Sequence, residues 1–299
     1  MKQFNPADSN HITRRYFDSL LIEMRHIGAV IPDTSLTLYG ETFATPVMTA
    51  ALSHLNNCHP EGMVELARGA KAANAVMWAG MGDEKELEGI TATGVKTIKI
   101  IKPYKDNDLI IRKIKHAESC GCIAVGMDID HAYNNRGEYD NVLGFPMTGI
   151  TFNDIKHFVS LTKLPFIIKG VLSVQDARLC VQAGVKGILV SHHHGIMDYA
   201  VPPLMILPEI IKATGSIIPV FVDCGVENGM DVFKSLALGA TAVSVGRALM
   251  GPLSENGADG AAKAIREITA QMAGAMTRTC SSNLAKIESS VIWQQAVKQ

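Results

Sequence analysis

The stretch LPFIIKGVLSVQDARLCVQAGVKGILVSHHHG, Leu164 to Gly195, decides the fold. Two short apolar runs rich in β-branched residues, LPFIIKGV (Leu164–Val171) and GILVSHH (Gly187–His193), flank a segment with helical spacing of its apolar residues. That segment, SVQDARLCVQAG, starts at Ser173, a residue type that caps helix N-termini, and Gly184 stands just past its end. Both flanking runs are apolar throughout rather than at every second position, as parallel strands covered by helices are. The stretch therefore reads as strand, helix, parallel strand.

Working outward, the same unit recurs. The other strand candidates are PVMTAAL (Pro46–Leu52), AVMWAG (Ala75–Gly80), TIKIIK (Thr97–Lys102), CIAVGMDI (Cys122–Ile129), IPVFVDCGV (Ile218–Val226) and AVSVGRAL (Ala242–Leu249). Amphipathic segments such as EGMVELARGAKAA (Glu61–Ala73) lie between them. Eight units in 299 residues predict an α/β fold, a single (β/α)8 TIM barrel over 46–299 with a C-terminal helical extension. Residues 1–45 read as a short lead-in that caps it. A doubly wound open sheet is the alternative, and no early G-x-G-x-x-G between a strand and a helix favours it.

Composition narrows the function. The formal net charge is −1, which leaves no basic field for nucleic acid and no polybasic arm for an anionic membrane. No apolar run approaches the ~18 residues of a membrane span. The opening MKQFNPADSNHITRRYF has no apolar core of the kind a secretory signal needs. Of six cysteines only Cys120 and Cys122 are close, and C-x-C is not the C-x-x-C of common zinc or redox sites. A cytoplasmic protein with reduced thiols is the expectation.

Barrel enzymes work at the C-terminal ends of their strands. The polar residues placed there are Lys102, Asp128, Asp130, Lys169, His192, His193, His194, Asp223, Gly246 and Arg247. Gly246 and Arg247 after the eighth strand, with Gly225 and Gly229 after the seventh, fall in the two loops where such barrels bind phosphate. As simple turn glycines and a surface arginine they would mean less. Lys169 could form a Schiff base, hold a phosphate or donate to a cofactor ring, or merely extend to the rim. Asp128 with His193 makes a carboxylate–imidazole pair suited to a general base, or a structural ion pair. His192 and His194 would point the same way if the strand continued, but a metal site needs three or four convergent ligands, so no metal is expected.

The stretches Leu164–Gly195 and IPVFVDCGVENGMDVFKSLALGATAVSVGRAL (Ile218–Leu249) resemble the FMN-dependent α-hydroxy-acid oxidase/dehydrogenase family, glycolate oxidase/lactate oxidase-like in kind. The likeness extends more weakly back to FATPVMTAALSHL and forward to Trp293. It implies FMN as cofactor, with Lys169 on the flavin N1/O2 side, His193 as catalytic base and Asp128 as its partner. It further implies Gly225, Gly246 and Arg247 at the FMN phosphate, Asp223 at the ribityl chain, Ser191 at a flavin contact, and Ala51, Leu52 and Ser53 beside the isoalloxazine. A homo-oligomer, tetramer or octamer, also follows from the resemblance.

The departures bear on substrate. The family arginine that clamps the substrate carboxylate three residues after the base is Ile196 here. A second arginine, after the fourth strand, falls near Asn135, with Arg136 as a stand-in. The substrate tyrosine is Lys102, the glutamine beside the flavin falls at Ile100 with Lys99 adjacent, and an arginine at the phosphate is Glu227. The loop after the fourth strand is short for a mobile lid. A bidentate guanidinium holds a carboxylate in reacting geometry, and Ile196 cannot. The expectation is an FMN-dependent oxidoreductase acting on the CH–OH group of a small-molecule substrate other than a simple small 2-hydroxy acid, one that lacks the usual carboxylate or whose anion meets Lys102 or Arg136, with Ile196 as an apolar wall. The alternatives are an isomerase or lyase without net redox, and a flavin-binding protein without catalysis. Chromophore released from the protein by heat should elute as FMN. Elution as FAD, or a colourless protein that takes up no added FMN, would contradict the cofactor expectation.

Overall fold

Eight parallel strands close around an apolar interior: β1 (Val47–Thr49), β2 (Met77–Ala79), β3 (Thr97–Ile101), β4 (Ala124–Asp128), β5 (Phe166–Val171), β6 (Gly187–Val190), β7 (Val220–Val222) and β8 (Ala242–Val245). The computed structural model describes residues 5–295, so the first four residues of the lead-in and the last four of the C-terminal extension lie outside it. Strand order runs β1-β8-β7-β6-β5-β4-β3-β2. The two ends of that row meet where the Thr49 N–H donates to the Val76 carbonyl (3.1 Å) and the Gly80 N–H to the Leu52 carbonyl (2.6 Å). This is the predicted TIM barrel.

A helix follows each strand: α2 (Gly62–Ala72), α3 (Glu84–Ala92), α4 (Asn107–Ser119), α5 (Phe152–Ser160), α6 (Val174–Gln182), α7 (Pro203–Thr214), α8 (Gly229–Ala237) and α9 (Arg247–Arg278), with α1 (Ser9–Ser19) ahead of them. Ser173 caps α6 as expected, its hydroxyl accepting from the Asp176 N–H at 2.9 Å. Gly184 follows the helix at φ 86°. The long α9 is bent where Asn256 and Gly257 leave helical geometry.

Alternate strand residues face opposite ways, and the two faces form separate apolar clusters. Trp78, Ile98, Ile167, Leu189 and Phe221 fill the barrel. Ile168, Ile188, Val190, Val222 and Val245 pack outward under the helices. The inward parity turns polar at the C-terminal ends, giving Lys169, Ser191, Asp223 and Ser244. In the lead-in, a hairpin of Leu36–Leu38 and Glu41–Phe43 adds Leu36, Leu38 and Phe43 to the interior cluster.

Most of the apolar runs overshoot their strands. GILVSHH stops being strand at Val190, since His193 and His194 take left-handed φ of 48° and 59°, which no ladder can continue. His192 and His194 therefore do not share a strand face. IPVFVDCGV ends at Val222 before a turn at Cys224 (φ 68°) and Gly225 (φ 72°), and AVSVGRAL ends at Val245, two residues before α9. Among the described residues no helix is long and apolar enough to cross a membrane.

Trp78 is fully buried, meets Phe221 edge-on at 5.3 Å and directs its indole N–H to Met48 Sδ. Trp78→Ala should cost about 3–5 kcal/mol of unfolding free energy. A urea midpoint that does not move would show that the barrel interior collapses onto the gap.

Candidate active site

Two cavities open at the C-terminal mouth. The larger, about 520 Å³, is walled by Ala50, Ala51 and Leu52 after β1, Lys169 of β5, His193 and His194 after β6, Asp223 to Glu227 after β7, and Ser244 to Ala248, without Val245, at β8 and α9. The smaller, about 230 Å³, is walled by Ala51, Leu52, Ser53, Gly80, Met81, Ile100, Lys102, Asp128 and His193. His193 lines both, so its ring stands where the two meet.

The charges beneath that ring form one cluster. Asp128, 3% exposed, accepts from Lys102 Nζ at 2.8 Å and from Lys169 Nζ at 3.4 Å. Burial by itself would push its carboxyl up, but Lys169, His193 and Lys102 outweigh burial and hold it well below the usual carboxylate range. Lys169 is raised in turn: burial opposes its charge, and Asp128, Asp130 and Asp223 overcome that. His193 Nδ1 lies 2.7 Å from Asp130 Oδ1, 3.3 Å from Asp128 Oδ1 and 3.0 Å from Lys169 Nζ. Burial disfavours the imidazolium, yet the Asp128 charge and the two carboxylate contacts leave the ring more basic than usual. The His131 ring stands edge-on to it at 4.2 Å and is itself held by Asp140 at 3.1 Å.

The three consecutive histidines do three things. His192 is buried, shares a hydrogen bond with Thr13 of α1 (2.8 Å) and accepts from the Gly195 N–H (2.9 Å), which fixes the turn. His193 enters the cavities, its backbone N–H donating to Ser191 Oγ at 3.0 Å. His194 lies over the larger cavity and contacts Asn10 at 2.5 Å.

At the far end of the larger cavity, α9 begins at Arg247 with Gly246 as its N-cap and no side chain bonded to its first turn. A Cβ at Gly246 would come within 3.2 Å of Ala50 Cβ, so glycine keeps this wall thin. Free N–H groups at a helix start, with an arginine beside them, suit a phosphate. Glu227 opposes it. Arg14 of α1, 3.8 Å from Glu227, is already held bidentate by the buried Asp231 at 2.8 and 2.9 Å.

Of the residues singled out from sequence, the mouth brings together Ala51, Leu52, Ser53, Lys102, Asp128, Lys169, His193, Asp223, Gly225, Gly246 and Arg247. Ser191 is buried below and lines neither cavity; it supports the His193 turn. Ile196 is half-buried beyond the turn, and Arg136 is exposed in the loop after β4; neither lines either cavity among the described residues. That loop carries a hairpin of Asn141–Val142 and Phe145–Pro146, pinned by Thr148 to Pro103 (2.9 Å) and by buried Met147. Ile100 faces the small cavity, whereas Lys99 points the other way, into the Gly80 carbonyl at 2.5 Å, and burial pulls its ammonium down to about 8.

The sequence offers Asp130 only as a polar residue near a strand end, and the structure sets it against His193. It stands two residues past β4, at the start of a short 3-10 turn, where strand spacing assigns it no partner. Asp130, His131 and His193 also offer donor atoms within 4.8 Å of one another. The Lys169 ammonium at 3.0 Å from His193 and the nearby Lys102 make that set hostile to a divalent cation.

Known proteins match the chain over most of its length. Residues 6–149 and 146–294 match the family model described as FMN-dependent dehydrogenase. The peroxisomal (S)-2-hydroxy-acid oxidase of Oryza sativa subsp. japonica is 32% identical over 279 residues, 82% of this chain and 76% of the relative. Glycolate oxidase of Spinacia oleracea is 30% identical over 284 residues, 83% of this chain and 75% of the relative. Mandelate oxidase with (S)-2-phenylpropionate superposes with a TM-score of 0.88 at 27% identity, covering 98% of this chain and 92% of that one. A mandelate oxidase variant carrying the monooxide FMN adduct gives 0.86 at 28% identity, covering 95% and 91%.

Arg247→Ala should weaken FMN binding by roughly 10–100-fold, since a hydrogen bond to a charged group is worth ~1.5–3 kcal/mol. Glu227→Gln should tighten it by removing a like charge. Quenching of flavin fluorescence measures both. Weaker binding by Glu227→Gln would mean that this carboxylate does not face the phosphate.

Proposed function

This chain belongs to the FMN-dependent dehydrogenase family and is an FMN-dependent oxidoreductase of CH–OH donors, and from that premise we propose that it oxidises a hydroxy compound lacking the free carboxylate of a small 2-hydroxy acid, with His193 as base. The observation that carries this reading is the Lys102–Asp128 ion pair at 2.8 Å. Lys102 is the cation that lines the smaller cavity, and it is spent on Asp128. Ile196 and Arg136 stand outside both cavities. A carboxylate entering beside Leu52, Met81 and Ile100 would lose its hydration without gaining an uncompensated partner. A neutral substituent meets no such penalty there.

FMN, when bound, would supply a two-electron acceptor for the hydride of the carbinol carbon. His193 takes the hydroxyl proton at Nε2, so the alcohol leaves as a carbonyl. A carboxylate at Nδ1 keeps that ring oriented and basic. Lys169 brings a positive charge to the wall of the larger cavity, where negative charge on a reduced ring would be offset. Gly246, Arg247 and Gly225 would hold the phosphate end, with Asp223 and the Ala51–Ser53 backbone along the rest.

The test is anaerobic bleaching of the flavin by matched pairs, each 2-hydroxy acid against its ester, amide or parent alcohol. The neutral member should reduce the flavin faster. His193→Ala should slow reduction by ~10²–10⁴ while FMN stays bound. The base must be neutral to act, so the rate should fall as pH drops through a histidine value above the ordinary one. Rapid, saturable reduction by glycolate or lactate would show that Lys102 leaves Asp128 to take a carboxylate. Turnover without bleaching would move the protein to isomerase or lyase chemistry.

A further inference from the structure

His193 Nδ1 faces two competing partners. Asp130 Oδ1 is 2.7 Å away and, as the carboxylate, accepts, while Lys169 Nζ is 3.0 Å away and, as the ammonium, donates. With a proton on Nδ1 the ring gives it to Asp130, and Nε2 is bare. With Nδ1 bare the ring accepts from Lys169, and the proton sits on Nε2. Only the first tautomer can act as a base toward a substrate hydroxyl at Nε2.

Asp128, the partner implied by the family resemblance, is poorly placed to decide between them. It lies 3.3 Å from Nδ1, and its two oxygens are engaged by Lys102 and Lys169. Asp130 Oδ1 has His193 as its hydrogen-bond partner, and its Oδ2 is buried with none. A carboxylate kept only for packing would be expected to satisfy both oxygens. Its seat is made by Gly170, where a Cβ would come within 2.7 Å of the Asp130 carboxyl carbon. Gly170 has φ 90° and lies at the irregularity in β5 between Lys169 and Val171.

We propose that Asp130 is the positioning residue of the base: it holds the Nδ1 proton of His193 and so keeps Nε2 free, while Asp128 serves as counter-ion to the two lysines. This rests on the reading of His193 as base. Burial, with the Asp128 charge behind it, pushes the Asp130 carboxyl up to about 6. The charges facing the pair are Asp128, Lys169, Lys102 and His131. Since Asp128 also makes the ring more basic, a lowered histidine value alone does not separate the two aspartates. The tautomer does.

Asp130→Asn and Asp130→Ala should each lower kcat for flavin reduction by ~10²–10⁴ with KM changed no more than a few-fold. The acid limb of the kcat–pH profile should move to lower pH. Ring-nitrogen NMR of histidine-labelled protein, which needs no substrate, should show His193 passing from the Nδ1-protonated to the Nε2-protonated form in both variants. The proposal is overturned if His193 keeps its tautomer in the folded variants, whatever their activity. It is also overturned if the tautomer is Nε2-protonated in the unaltered protein. If no hydroxy compound bleaches the flavin, the functional reading fails by itself and the NMR result still decides the role of Asp130.

Discussion

A buried carboxylate must be compensated, and at this barrel mouth two ammonium groups compensate Asp128 while the His193 ring lies beside it. Lys102, Lys169 and His193 converge on it from β3, β5 and the turn after β6. Removing one partner from such a cluster typically costs about 3–5 kcal/mol, because the charges left behind stay buried. The cluster therefore ties three strand ends to one geometry. Because Lys102 is spent, the smaller cavity offers a wall of Leu52, Met81 and Ile100 and no free cation among the described residues.

The same constraint shapes the histidine turn. Left-handed geometry at His193 and His194 ends the ladder and swings His193 over Asp128 and Asp130. Thr13 and Asn10 of α1 hold the flanking histidines, so a lead-in helix far away in sequence fixes the pose of His193. Helix α1 also seats on Gly225, where a Cβ would meet Thr13 at 2.8 Å. One helix thus links the His193 turn to the Gly225 wall of the larger cavity.

Sequence relatives of this chain are 2-hydroxy-acid oxidases, and it shares the fold of mandelate oxidase. Where it departs, the structure gives the departures a common direction. Ile196 and Arg136 lie outside the cavities, Lys102 is paired with Asp128, and Glu227 lines the larger cavity. None of them offers an anionic ligand in either cavity a free positive charge.

The barrel was legible from the sequence because parallel strands covered by helices must be apolar on both faces, and eight such runs recur with helical segments between them. The strand-end residues were legible for the same reason, since Lys102, Asp128, Lys169 and Asp223 are costly beside apolar strands unless they meet at a mouth. Strand ends were overrun, because left-handed φ at His193 and Cys224 carries no signature in residue types that seldom adopt it. What only the tertiary structure decided was partnership. Sequence register paired His193 with Asp128, but distances across strands place Asp130 nearer and give Asp128 to the lysines. A sequence states which charges reach the mouth, whereas which charge neutralises which depends on ångström differences between side chains from separate strands.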